Sequence, residues 1–209
     1  MKIAYVINSV EGGGAASPVP AITQVMRDAG HHVEVFALTR RDGLAVEPMH
    51  AAGLTVHIRP GTRKDHGAAL YWLDRQMRRY RPDVIWTSLS RATLLGQIVG
   101  QWRRVPVISW QHSARLKRFN AFLLRRFKNK TALWVADPSC VAEQTRQTLH
   151  VAPEHLVEWP IFRADAAFPT ATPWQPGTPF RICAPGRPHP AQGYDICPSY
   201  TSDAADDED

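Results

Sequence analysis

Seven short runs rich in β-branched and aromatic residues recur along this chain, each separated from the next by a segment that reads as a helix. The runs are Ile3–Ile7, His32–Leu38, Leu54–Ile58, Val84–Trp86, Pro106–Trp110, Ala132–Ala136 and Leu156–Trp159, and each reads as a strand. Between the first two, Val19, Ile22, Val25 and Met26 fall at helical spacing and Gly30 follows as a stop. Ser17-Pro18 reads as the cap and first-turn proline of that helix. The turn Asp42-Gly43 leads to a short helix over Ala45–Ala52 that Gly53 ends, and further helices are predicted over Ala68–Tyr80, Ala92–Trp102 and Ala114–Lys128. Asp137-Pro138 reads as the cap and start of a last helix reaching about Leu149. Strands alternating with helices of about 10 to 15 residues are βαβ units. The predicted class is α/β, a Rossmann-like, doubly wound and mainly parallel sheet with helices on both faces.

At 209 residues the chain can hold one well-buried domain and some extra. The expected domain spans residues 1–163. From 164 to 179 the prolines Pro169, Pro173, Pro176 and Pro179 read as an extended linker. Residues 180–195 begin what reads as a second domain, with one strand at Phe180–Ala184, and 196–209 read as a disordered acidic tail. No apolar run approaches the ~20 residues that cross a bilayer. Met1-Lys2 leads straight into a strand with no signal peptide, so a cytoplasmic location is expected. Cys140, Cys183 and Cys197 match neither a metal site nor a disulfide framework and are expected as reduced thiols.

The net charge of +6 is uneven. Arg115, Lys117, Arg118, Arg125, Arg126, Lys128 and Lys130 share one stretch without an acid, interleaved with Phe119, Phe122, Leu123 and Phe127. Such a face suits nucleic acid, anionic lipid or a phosphorylated substrate, and also a plain solvated helix. The apolar side of that helix is expected to face the core, because a helix of this fold must cover its sheet.

Three features point to a ligand. Gly12-Gly13-Gly14 follows the first strand and precedes a helix, where close backbone N–H groups and a helix N-terminus favour an anion. The triplet lacks the spacing of a dinucleotide fingerprint and there is no P-loop lysine, which disfavours an NAD-dependent enzyme. His112-Ser113 follows the fifth strand, and Asn8, Ser88 and Ser90 lie at the carboxyl ends of strands on the same predicted edge, where ligands bind in open α/β sheets.

Three stretches resemble the retaining GT-B glycosyltransferases of family 4. The opening strand with Gly12-Gly13-Gly14-Ala15 is similar to the glycine loop of that family's N-terminal domain. Val107-Ile-Ser-Trp-Gln-His112-Ser113 is similar to the strand whose terminal histidine sits over the donor sugar. Ala184-Pro-Gly186-Arg187 through Gly193-Tyr-Asp195 is similar to the opening of the C-terminal domain. The resemblance covers about residues 1 to 195. It implies hexosyl transfer, with retention of configuration, from a nucleotide-sugar to a glycan or lipid-linked acceptor. His112 would orient a sugar hydroxyl as the catalytic group, while Gly12, Gly13, Gly14 and Arg187 would meet the donor phosphates. Asn8, Ser88, Ser90, Arg115, Lys117 and Arg118 would face the acceptor or an anionic surface. Peripheral contact with the inner face of the cell membrane would follow, with no nucleic acid. No cofactor is implied, and no Asp-X-Asp pair suited to a divalent metal is seen.

The chain departs from the family's pattern in places. Trp159-Pro160-Ile161-Phe162 stands where relatives have Asn-Gly-hydrophobic-Asp, and Gln192 replaces the usual lysine before Gly193. The paired glutamates of the donor pocket are missing. The resemblance therefore implies a first domain joined to a truncated or frame-shifted second one, with little or no activity alone unless a partner chain supplies the other lobe. The alternative is a non-catalytic module that binds an acceptor, a membrane or a partner.

Overall fold

All seven predicted strands lie side by side in a single parallel sheet. The computed structural model describes residues 1–113, 116–161, 170 and 172–179, in two compact units, Met1–Ala164 and Asp165–Asp209. In chain order the first unit holds β1 (Lys2–Ile7), α1 (Val19–Asp28), β2 (His32–Ala37), α2 (Val46–Ala51), β3 (Thr55–Ile58), α3 (His66–Tyr80) and β4 (Val84–Ser88). It continues with α4 (Ser90–Arg103), β5 (Val107–Gln111), α5 (Arg118–Phe127), β6 (Leu133–Ala136), α6 (Ser139–Leu149) and β7 (Leu156–Glu158). The strand order is β3-β2-β1-β4-β5-β6-β7. In the second unit the described residues form a turn in which Thr178 Oγ1 donates to the Gln175 carbonyl at 2.6 Å and Trp174 Nε1 to the Thr178 carbonyl at 3.0 Å.

The continuous apolar character of β1 follows from its place at the centre, covered on both sides. Ile3, Tyr5 and Ile7 join Val19, Ile22 and Met26 of α1 and Met49 of α2. The alternate residues Ala4 and Val6 join Leu73 and Met77 of α3 and Leu95 and Val99 of α4. Period-2 side chains on the strand thus meet the apolar stripes of helices on opposite faces.

Helix α4 lies closest to the sheet, because Gly96 and Gly100 face it one turn apart. A Cβ on Gly96 would stand 2.4 Å from Thr87 Cγ2, and one on Gly100 2.4 Å from Val107 Cγ2 and 2.9 Å from the Val105 carbonyl. Buried hydroxyls fill the polar part of the same interface. Thr87 Oγ1 is 3.2 Å from Thr93 Oγ1 and 3.1 Å from Ser109 Oγ; Ser109 Oγ is 2.9 Å from Thr131 Oγ1, which also accepts from Gln97 Nε2 at 2.9 Å. Each of these hydroxyls finds a partner within the chain, so their burial carries little desolvation cost, while Gln97 Oε1 has none among the described residues.

Three local expectations need correction. Helix α1 starts after Pro18 with no side-chain cap; the Gly13 carbonyl accepts the N–H groups of Ala16 and Ser17 instead, at 3.1 and 3.0 Å. Helix α6 is entered through Pro138, again with no side-chain cap, because the Asp137 carboxylate is engaged elsewhere. Of the apolar residues on α5 only Leu124 is buried, while Phe119 and Phe122 are 70% and 64% exposed. This helix packs on α4 and α6, so one residue suffices for its contact with Trp134 of β6. The second-domain strand and the acidic tail lie outside the described residues.

A Gly96→Val substitution is expected to lower unfolding stability in urea by about 1–3 kcal/mol through overpacking against Thr87. Gly67→Ala in α3, where a Cβ meets nothing within 4 Å, is expected to raise it by a few tenths of a kcal/mol. Equal effects of the two substitutions would contradict the close approach of α4.

Candidate functional site

The direction of winding reverses between β1 and β4, and in open α/β sheets the crevice beyond the carboxyl ends of such strands is the ligand position. Asn8 follows β1 there. Its Oδ1 accepts the Ala92 N–H at 2.7 Å, and its carbonyl accepts from Thr39 Oγ1 at 2.8 Å, so one residue ties β1 to the first turn of α4 and to the end of β2. The chain passes from β4 into α4 through the single residue Leu89, held at φ 75° and ψ 154°. Only glycine adopts that conformation without strain, and such strain clusters at functional sites.

His112 follows β5 with its side chain 7% exposed. Its Nδ1 is 2.9 Å from Asp137 Oδ2 and its Nε2 is 2.6 Å from Ser88 Oγ. An ionised carboxylate only accepts hydrogen bonds, so in the neutral ring Asp137 holds the proton on Nδ1 and leaves Nε2 to accept the Ser88 hydroxyl. Trp110 supports the ring at 5.1 Å between centroids. Ser88 is fully buried. The chain Asp137–His112–Ser88 therefore fixes the imidazole and does not present a serine nucleophile. Both ring nitrogens are occupied within the protein, and a ligand hydroxyl reaching Nε2 has to take the place of the Ser88 hydroxyl.

His112 stands in the wall of a cleft of about 640 Å³, a size typical of ligand pockets. Asn8 and Ser90 share the wall, and Arg41, Arg63, Arg91 and Lys117 make it electropositive. Beneath it, buried Arg59 and Arg91 share Asp65 at 2.6 and 3.2 Å. The hydrogen bond from Arg59 holds the Asp65 carboxyl well below the usual range. Burial, with Arg59 and Arg63 nearby, lowers the Arg91 pKa despite its bond to Asp65. Arg41 pairs with Glu11.

Of the residues singled out in the sequence, Asn8, Ser90, His112 and Lys117 meet at this cleft, and Ser88 lies beneath it. Gly12, Gly13 and Gly14 are not in its wall; the Gly12 N–H is donated to Asp42 Oδ1 at 3.0 Å. Arg118 is exposed at the start of α5, outside the wall. Arg115 and Arg187 lie outside the described residues. The sequence reading missed Asp137, which it took for a helix cap. The register pairs Gln111 with Ala136, so His112 and Asp137 are the next residues of neighbouring strands, and that adjacency was the available signal. Arg41, Arg63 and Arg91 are scattered in sequence and carried none.

A family model described as Glycosyltransferase Family 4 matches residues 12–161. No curated protein sequence matches the chain. Among solved structures the chain is similar to Anabaena Alr3699/HepE in complex with UDP, at 17% identity and a TM-score of 0.64 over 76% of this chain and 43% of that one. It is also similar to the apo lipopolysaccharide outer core galactosyltransferase WaaB, at 15% identity and 0.60 over 75% and 44%. A UDP-GlcNAc 2-epimerase from Methanocaldococcus jannaschii matches at 13% and 0.55 over 76% and 45%. The chain spans less than half the length of each of these structures. At such identities the likeness shows a shared fold.

At a pH well above the ordinary histidine range, ¹⁵N–¹H correlation of the His112 ring is expected to show a protonated Nδ1 and a bare Nε2; the opposite tautomer would contradict the Asp137 pairing. Asn8→Ala is expected to lower stability by about 1 kcal/mol, the usual cost of a lost cap on a helix N–H, measured by thermal unfolding.

Proposed function

The chain belongs to glycosyltransferase family 4, and we propose that it provides the acceptor-side half of hexosyl transfer from a nucleotide-sugar to a glycan or lipid-linked acceptor. The observation that carries this reading is the Asp137–His112–Ser88 chain, which holds a preorganised imidazole at the mouth of an electropositive cleft at the switch point of the sheet. Transfer from a nucleotide diphosphate develops negative charge on the leaving phosphates, and cations fixed in advance stabilise it without reorganisation. Arg63 and Arg91 put such charge in the cleft wall that His112 shares, while Arg41 is paired with Glu11, and no divalent metal enters this reading. HepE is solved with UDP and with UDP-glucose, which supports a uridine nucleotide-sugar as the first donor to try. His112 would exchange its bond with Ser88 for one to a donor hydroxyl, so that Ser88 serves as a placeholder for the sugar.

A second reading, an acceptor-binding module without transfer, draws on the glycine loop. Its Gly12 amide is already committed to Asp42, and the loop does not line the cleft, so it offers less to a donor phosphate than a bare loop would.

Calorimetric titration with UDP- and GDP-sugars, beside a His112→Ala variant, separates the two. The expected result is binding that the variant weakens by about tenfold, or about 1.4 kcal/mol, the scale of a lost hydrogen bond. No heat with any nucleotide-sugar, or an unchanged affinity in the variant, would overturn the donor-binding reading.

A further inference from the structure

Away from His112 the cleft changes character and runs between α4 and α5 as an apolar groove. Leu94 and Ile98 stand one turn apart on α4, Leu123 and Phe127 one turn apart on α5, and all four are half-buried in the groove wall. The main core contacts of the two helices are made by others, Leu95 and Val99 on α4 and Leu124 on α5, and Leu94 also packs against the cluster around Leu124 and Trp134. Each helix therefore carries a second apolar stripe, at i and i+4, and the two stripes face a shared space.

The cleft wall also holds Gln111. It is 2% exposed, and its Nε2 finds no acceptor among the described residues. A buried amide donor left unmet costs free energy, and such groups in native proteins usually have a partner. Cations share the wall: Arg63, Arg91 and Lys117 line the cleft, and Arg91, whose Nη2 meets Asp65, has its Nε buried without a partner among the described residues. Glu11 in that wall is already paired with Arg41. One cleft wall thus holds cations, a buried donor and an apolar slot between two helices.

We propose that this groove receives the hydrocarbon chain of an anionic amphiphile, so that the acceptor of the proposed reaction is lipid-linked. The charged head group meets Lys117, with Arg63 and Arg91 left to the donor phosphates, an oxygen near the head accepts from Gln111, and the chain lies between Leu94 and Ile98 on one side and Leu123 and Phe127 on the other. The inference rests on the acceptor-side reading given above. It is distinct from adsorption to a membrane surface, for which the exposed Phe122 of α5, outside the cleft wall, is the relevant residue.

The test is calorimetry with dodecanoyl lysophosphatidic acid below its micelle concentration, beside glycerol 3-phosphate as the head alone and lysophosphatidylcholine of the same chain length as the zwitterionic control. Lysophosphatidic acid is expected to bind at least tenfold more tightly than either. Ile98→Trp, which fills the groove, and Leu123→Glu, which sets a like charge on its open wall, are each expected to weaken it about tenfold. Gln111→Leu is expected to weaken it as well without lowering the melting temperature, because the substitution removes a buried donor that has no partner. Equal binding of glycerol 3-phosphate, or unaltered affinity in Ile98→Trp and Leu123→Glu, would overturn the proposal. Nucleotide-sugar titration of the same variants keeps the two claims apart. Sugar binding without lysophosphatidic acid binding overturns the groove alone, and the converse overturns the donor reading alone.

Discussion

The close approach of α4 to the sheet is the constraint on which the rest of the structure depends. Gly96 and Gly100 remove the Cβ atoms that would hold the helix off Thr87 and Val107, and the hydroxyls of Thr87, Thr93, Ser109 and Thr131 satisfy one another in the seam. With the helix seated so deep, its first turn meets the ends of the central strands directly. Asn8 can reach the Ala92 N–H from β1, and β4 must turn into α4 through one residue. The strain at Leu89 is the local cost of that abrupt turn, offset by the packing and hydrogen bonds on either side of it.

The same seating decides what the cleft contains. It brings Ser90 and Arg91 into the cleft wall with His112 and leaves Ile98 in the same wall, with Leu94 packed against the cluster around Leu124 and Trp134. A single helix thus supplies the polar end of the cleft and one wall of its apolar end. The imidazole is fixed independently, from the strand side, by Asp137 and Ser88. His112 and Asn8 are thus held in place before any ligand arrives, which is the condition for stabilising charge where it develops rather than where solvent permits.

The layered α/β fold was legible in the sequence because it rests on local periodicity. The buried runs on β1 and β4 and the helical spacing of Val19, Ile22 and Met26 each show themselves within about ten residues. The site was legible only in part. His112, Asn8 and Ser90 announce themselves as polar residues after strands, and the topology rule does the rest. Asp137 was hidden because Asp-Pro is an equally good helix start, and only the pairing of β5 with β6 reveals that it faces His112. The apolar stripe of α5 misled for a related reason: its periodicity marks an amphipathic helix but not which neighbour receives the apolar side. Arg63 and Arg91 meet through tertiary folding alone, so no spacing could join them.

The chain is a member of glycosyltransferase family 4 whose described residues build the parallel sheet and a cleft at its carboxyl edge, where a nucleotide-sugar is proposed to bind. The most direct measurement is backbone amide chemical-shift mapping on the isotopically labelled chain as UDP-glucose is added. Perturbations are expected to group at Asn8, Leu89 to Ala92, and His112 and Ser113. Perturbations grouped instead around Lys128, His150 and His155, which line the separate pocket of about 310 Å³, or spread without focus over the surface, would contradict it.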